Sequence, residues 1–247
     1  MSEAAQPFVW EYEKSALDLV DEKHQRSFTD SKIYNRLKYA KHGIIGVSGT
    51  GQWGKTVFVN SLLQEPPFNR RNVVLFGYDP EYVDNNYPSR FRAEEWPDDL
   101  EDLPDVLRPS KDAAVLDDAI FRVGARDHAT KENRSTQKFA TIASHHEMFI
   151  LLTIQNTSLL DISMMQAQDL YMFHKHMDPV ALAFERPMFR NKQLIANVHL
   201  GKYHRENPEV HPKAWTYCST TYEMLSAGLP YYWKPAMSKP YYGRIPK

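Results

Sequence analysis

Residues 49–56 read Gly-Thr-Gly-Gln-Trp-Gly-Lys-Thr, and no other segment constrains this chain as tightly. The run matches the pattern G-x4-G-K-[ST] in full, with Gly49, Gly54, Lys55 and Thr56 at the fixed positions. A short apolar stretch, residues 44–48, precedes it, and a helix-compatible stretch, residues 56–63, follows before Pro66 and Pro67. Such a strand, loop and helix makes an anion cradle. The glycines let backbone N–H groups turn inward, and the helix aims the positive end of its dipole at the anion. The spacing then gives each group a task. Gly49, Thr50, Gly51, Gln52, Trp53, Gly54, Lys55 and Thr56 would wrap the phosphates of a nucleotide such as ATP. Lys55 would reach the β- and γ-phosphates, and the Thr56 hydroxyl would ligate Mg2+. The competing reading is a glycine-rich turn with a solvated lysine. The apolar strand before the loop and the helix after it favour the cradle.

The 247 residues suit one α/β domain with a full core, or such a domain with a terminal appendage. A composition of 42% hydrophobic and 25% charged residues is that of a soluble globular chain. A net charge of −1 excludes a global basic field, so any nucleic-acid contact must come from a local patch or from a ring of subunits that concentrates one. The single cysteine, Cys218, excludes an intrachain disulfide and reads as a small buried residue in a reducing compartment. The longest apolar stretch, residues 148–154, is too short to cross a bilayer. The N-terminal residues carry no secretory pattern, so the expectation is an intracellular protein without membrane insertion.

The chain divides into a helical appendage over residues 1–42, a core over 43–201 and an aromatic-rich extension over 202–247. Pro7 is expected to start one helix, and residues 31–41, following Thr29 and Asp30, form a second with a basic face. From Gly43 on, strands and helices alternate. Strands are expected at 44–48, 73–77, 113–116, 148–154, 170–173 and 194–200, with residues 80–112 as a long surface connection containing one helical turn at most. Buried apolar strands in such alternation predict a mainly parallel sheet covered by helices on both faces. The C-terminal aromatics, including Tyr231, Tyr232 and Trp233, read as a docking arm or a wrap over the domain's own core.

Two further strand ends bear on chemistry. Residues 113–116 end on Asp117 and Asp118. The first acid is placed to hold the metal shell, the second to polarise an attacking water. The alternative is a solvated turn. Residues 150–154 end on Gln155, which could reach the γ-phosphate or the water if its strand lies between the loop strand and the acid strand. The alternative there is an amide that caps a strand.

The run from Asn133 to Lys175, read with the phosphate loop and the acid pair, resembles the FtsK–HerA superfamily of ATPases and looks most like the genome-packaging ATPases of double-stranded DNA viruses. The matching order is Gly49–Thr56, Asp117-Asp118, His145, Gln155 and Asp169–Phe173. The resemblance implies a RecA-like P-loop NTPase fold of the additional-strand, catalytic-glutamate type. It also implies ATP hydrolysis with Mg2+, self-association into a ring, a hexamer or pentamer, and double-stranded DNA as partner, with capsid or vertex proteins as further partners. Two departures stand out. Asp118 occupies a place where glutamate is usual, and Ser144 precedes His145 where the family has arginine. An arginine acting from a neighbouring subunit would then come from Arg122, Arg126 or Arg134, with Arg134 preferred. Arg122, Arg126, Lys131, Arg134 and Lys138 also make the best basic candidate for a pore or interface. His145-His146-Glu147 is declined as a metal cluster, because adjacent histidines leave a helix on different faces.

The resulting expectation is an ATP-hydrolysing DNA translocase. The alternatives are a zonula-occludens-toxin-like phage assembly ATPase, which usually carries a transmembrane segment, a P-loop small-molecule kinase, and a nucleotide-gated adaptor without turnover.

Overall fold

The computed structural model describes residues 26–95, 97, 102–117, 143–155, 170–234 and 237. Among them are nine strands of one sheet: β1 (Arg26–Ser27), β2 (Gly43–Ser48), β3 (Asn72–Phe76), β4 (Phe91–Glu94), β5 (Asp112–Leu116), β6 (Phe149–Ile154), β7 (Leu170–His174), β8 (Trp215–Cys218) and β9 (Glu223–Ser226). The helices are α1 (Lys32–Tyr39), α2 (Lys55–Leu63), α3 (Pro80–Asn86), α4 (Leu103–Val106), α5 (Pro179–Ala183) and α6 (Pro187–Glu206). The strand order is β1-β9-β8-β7-β2-β6-β5-β3-β4. From β7 to β4 every pairing is parallel, while β8 runs antiparallel to both of its neighbours. The fold is mixed α/β with a mainly parallel central sheet flanked by helices, as the alternation of the sequence implies.

The central strands are buried along their whole length, which is why they read as unbroken apolar runs. Their side chains nevertheless alternate between two cores. Ile45, Val47, Val73, Leu75, Ala113, Val115, Phe149 and Leu151 join Phe58, Val59, Leu62 and Leu63 of α2 and Ile33 and Leu37 of α1 on one face. Ile44, Val74, Phe76, Ala114, Leu116, Ile150, Leu152 and Met172 pack with Leu103, Leu107 and Phe189 on the other. Each large side chain so buried contributes about 1.5–3 kcal/mol of transfer free energy. A third cluster joins Ile195, Ala196, Leu200 and Tyr203 of α6 to Trp215, Tyr217 and Met224 of the β8–β9 hairpin.

Two expectations are corrected. Residues 194–200 are no strand but the middle of α6. Their buried positions, 195, 196, 199, 200 and 203, recur at helical spacing, and Pro187 opens the helix at its first turn. The stretch 80–112 is not a bare surface connection, since it holds α3, the edge strand β4 and α4. β4 reads Phe-Arg-Ala-Glu with only Phe91 buried, so it carries no apolar signal. The aromatic C-terminal stretch supplies β8 and β9, in which Trp215, Tyr217 and Met224 are buried.

The second N-terminal helix is present as α1, capped by the Ser31 hydroxyl, which accepts from the Tyr34 amide, and not by Thr29 or Asp30. The helix expected from Pro7 lies outside the described residues. Cys218 is buried, with its sulfur 3.4 Å from the Thr221 hydroxyl; burial pushes its thiol pKa up. Among the described residues no helix is long and apolar enough to cross a membrane.

Candidate phosphate-binding site

The loop from Gly49 to Gly54 leaves the carboxyl end of β2 and enters α2, at the edge where open α/β sheets bind ligands. It is pinned on both flanks. The Gly49 amide donates to the Ile154 carbonyl at the end of β6 (3.1 Å), and the Thr50 amide donates to the His176 carbonyl beyond β7 (3.1 Å). The Thr50 hydroxyl meets Asp178 twice, accepting from its amide at 2.8 Å and donating to its carboxylate at 3.1 Å. Asp178 also caps α5 through the Ala181 amide. These bonds to Ala181 and Thr50 hold its carboxyl below the usual range.

Glycine is obligatory at two places in the loop. Gly49 has φ 143°, and a Cβ there would lie 2.7 Å from the Lys175 Cβ. Gly54 has φ 81° at the start of α2. The Lys55 ammonium, itself buried, donates to the carbonyls of Gly49 (2.8 Å) and Thr50 (3.1 Å), so it lies over the loop. The Trp53 ring packs on His176 with centroids 4.5 Å apart.

β6 lies between β2 and β5, so the acid that follows β5 reaches across toward α2. The Thr56 hydroxyl stands 3.3 and 3.4 Å from the two Asp117 carboxylate oxygens. The same carboxylate accepts from the Tyr78 hydroxyl at 2.8 Å and from the Thr153 hydroxyl of β6. A carboxylate and a hydroxyl converging in this way offer two oxygen ligands to a hard cation. Gln155 follows β6 directly, and Ser48 of β2 pairs with Ile154, so Gln155 is level with Gly49.

Asp118 and Arg134 lie outside the described residues, as do Arg122, Arg126, Lys131, Lys138 and Asp169. His145 is exposed and precedes β6, at the edge of the sheet opposite the phosphate loop. Its neighbour Glu147 binds Lys41 and Ser110 at that edge.

Behind the loop is a buried polar layer that no sequence motif announces. His174, at the end of β7, has Nδ1 within 2.9 Å of the Ser48 hydroxyl and 3.0 Å of Gln193 Oε1, and Nε2 within 2.8 Å of the Ser219 hydroxyl. The network fits the Nδ1–H tautomer, with Ser219 donating to Nε2. Burial lowers the His174 pKa to about 4, which keeps the ring neutral. Gln193 of α6 donates to the Lys175 carbonyl at 2.7 Å. The Lys175 ammonium donates to the carbonyls of Lys213 (2.8 Å) and Trp215 (3.0 Å), and burial lowers its pKa to about 7. The loop thus rests on groups from β7, α6 and the β8–β9 hairpin.

No family model matches the sequence, and no curated protein matches it. Solved structures do. The DNA-packaging ATPase of Sulfolobus turreted icosahedral virus superimposes with a TM-score of 0.51 at 11% identity, covering 77% of this chain and 98% of that one. The genome-packaging NTPase of Sulfolobus turreted icosahedral virus 2, in complex with ATPγS, gives a TM-score of 0.49 at 10% identity, covering 76% of this chain and 98% of that one. The N-terminal domain of zonular occludens toxin from Neisseria meningitidis gives 0.37 at 16% identity over 53% of this chain and 76% of that one. This chain therefore shares its mixed α/β fold, with a mainly parallel central sheet, with the DNA-packaging ATPase of Sulfolobus turreted icosahedral virus.

Proposed function

We propose that the chain binds ATP in the loop Gly49–Thr56, hydrolyses it, and couples hydrolysis to movement of double-stranded DNA as a subunit of a viral genome-packaging motor. The observation that carries the reading is the meeting of Thr56 and Asp117, at 3.3–3.4 Å, beside a loop over which Lys55 lies. A glycine-rich turn with a solvated lysine has no reason to bring a strand-end acid 61 residues away onto the first threonine of its helix.

In this reading the loop amides and Lys55 hold the phosphates and offset the charge that develops on them. Thr56 and Asp117 fit Mg2+, being hard oxygen donors on rigid elements; when bound, the ion neutralises phosphate charge. Asp118 takes the proton of the attacking water as the new P–O bond forms and the bond to the ADP oxygen breaks. Gln155 senses the γ-phosphate from the strand between loop and acid. Subunits in a ring, a hexamer or pentamer, supply Arg134 or another arginine from next door and line a pore that grips the duplex phosphates. Capsid or vertex proteins dock the ring, and the motor works in the host cytoplasm or on the virion. The kinship in fold to a viral DNA-packaging ATPase supports the direction of this reading.

Phosphate release by the purified chain is the test, with and without duplex DNA. Hydrolysis that duplex DNA accelerates is expected, and Lys55→Ala or Asp118→Asn should each remove it while leaving the fold intact. Full activity in either variant would sink the hydrolytic site, and a flat response to DNA would remove the motor.

A further inference from the structure

Asp117 is held by more than its position after β5. Tyr78, the second residue after β3, is almost wholly buried and points its hydroxyl at the carboxylate, 2.8 Å away. The Tyr78 ring is in turn set by Tyr87, edge-on at 6.3 Å and 90°. Tyr87 packs on Phe91 and Tyr232, with centroids 5.2 and 6.0 Å away. The Tyr232 hydroxyl donates to Asn60 Oδ1 of α2 at 2.9 Å, and Asn60 Nδ2 donates to the Thr56 carbonyl at 2.8 Å. The contacts therefore close a circuit from Thr56 through Asn60, Tyr232, Tyr87 and Tyr78 to Asp117, and from Asp117 back to the Thr56 hydroxyl. The two oxygen ligands of the proposed metal site are its two ends.

We infer that Tyr78 is a positioning residue of the metal site, fixing the Asp117 carboxylate so that it and the Thr56 hydroxyl present their oxygens together. The inference rests on the nucleotide-binding reading above and deepens it. Two effects of the phenol compete. Its hydrogen bond draws charge from the carboxylate and so weakens the ligand, while it also removes the rotation that a lone aspartate on a strand end retains. Hydrogen bonds to ligating carboxylates are generally worth 10- to 100-fold in metal affinity, so orientation wins. Thr153 continues to hold the carboxylate when the phenol is removed, which puts the expected effect at the low end of that range.

The 247-residue chain and its Tyr78→Phe variant, which keeps the ring and loses only the hydroxyl, are titrated with a fluorescent ATP analogue in EDTA and then with Mg2+ at fixed nucleotide. The expected result is unchanged affinity in EDTA and an Mg2+ half-saturation raised about tenfold. Tyr232→Phe, which loses only the bond to Asn60, should shift the half-saturation in the same direction by a smaller factor, and it serves as the deciding variant should Tyr78→Phe not fold. An unchanged Mg2+ half-saturation, or a loss of affinity equally large in EDTA, overturns the inference. A wild-type chain whose nucleotide affinity ignores Mg2+ overturns the metal-site reading itself, a different outcome from the first.

Discussion

Gly49 shows how little freedom single positions have around the phosphate loop. Its φ of 143° and the 2.7 Å approach to Lys175 exclude a side chain twice over. Gly49→Ala should cost about 1–3 kcal/mol in stability, read as a shift in the urea midpoint, because backbone strain and overpacking are each of that size. Lys55, in the proposed nucleotide site, acts through the charge it places over the loop. Lys55→Ala should reduce ATP hydrolysis at least a hundredfold with little change in melting temperature, measured by phosphate release beside a thermal melt. Both residues were legible in the sequence, since a short fixed spacing encodes the whole loop. Tyr78 and Thr153 were not. They lie 39 and 36 residues from Asp117, and only the parallel pairing of β3, β5 and β6 brings the three together.

At the scale of elements, α1 is docked by a distant strand. The Glu223 carboxylate of β9 accepts from the Lys32 and Ile33 amides at 2.9 and 3.1 Å, at the N-terminus of α1, and from the Thr221 hydroxyl at 2.6 Å. Helix N-termini leave amides unsatisfied, and a carboxylate there also meets the dipole. Glu223→Ala would orphan the buried Ile33 amide and the part-buried Lys32 amide and should destabilise the chain by about 1–3 kcal/mol in denaturant unfolding. Glu223→Gln keeps an acceptor and should cost less. The capping of α1 by Ser31 is local and follows from sequence, whereas the partnership with Glu223 spans 191 residues and follows from none of it. α6 teaches the same point from the other side. Leu194, Ile195, Val198 and Leu200 look like a strand in isolation, yet only Ile195 and Leu200 pack against the hairpin while Val198 is exposed, as a helical period requires.

Across the whole molecule, the buried layer under the loop ties both halves of the sheet to one proton balance. His174 has a folded-state pKa of about 4 against an ordinary 6.5. Above pH 6.5 the ring is neutral in both states and contributes nothing to pH dependence. Between 6.5 and about 4 the unfolded chain takes up a proton that the folded chain refuses, so stability falls as pH falls, by at most about 1.4 kcal/mol per unit. Below about 4 the loss is complete and constant. Unfolding free energies at pH 7 and 4.5 for the wild type and His174→Gln test this, with the wild type losing about 2 kcal/mol more than the variant on acidification. Equal losses in the two chains would remove His174 from the balance.

The sequence by itself determined the glycine-rich loop Gly49–Thr56, the alternation that makes a mainly parallel sheet, and the acid and glutamine at strand ends, because each is written in neighbouring residues or in a period of two. The strand order needed the folded chain. Only the insertion of β6 between β2 and β5 brings Asp117 to Thr56 and sets Gln155 level with Gly49. The edge strands β1 and β4, the antiparallel hairpin, and the His174–Gln193–Ser219 layer likewise appear only in three dimensions. Local propensity fixes what a segment becomes when its own periodicity is strong. Where the segment is short, polar or apolar on every side, burial against partners far along the chain decides instead.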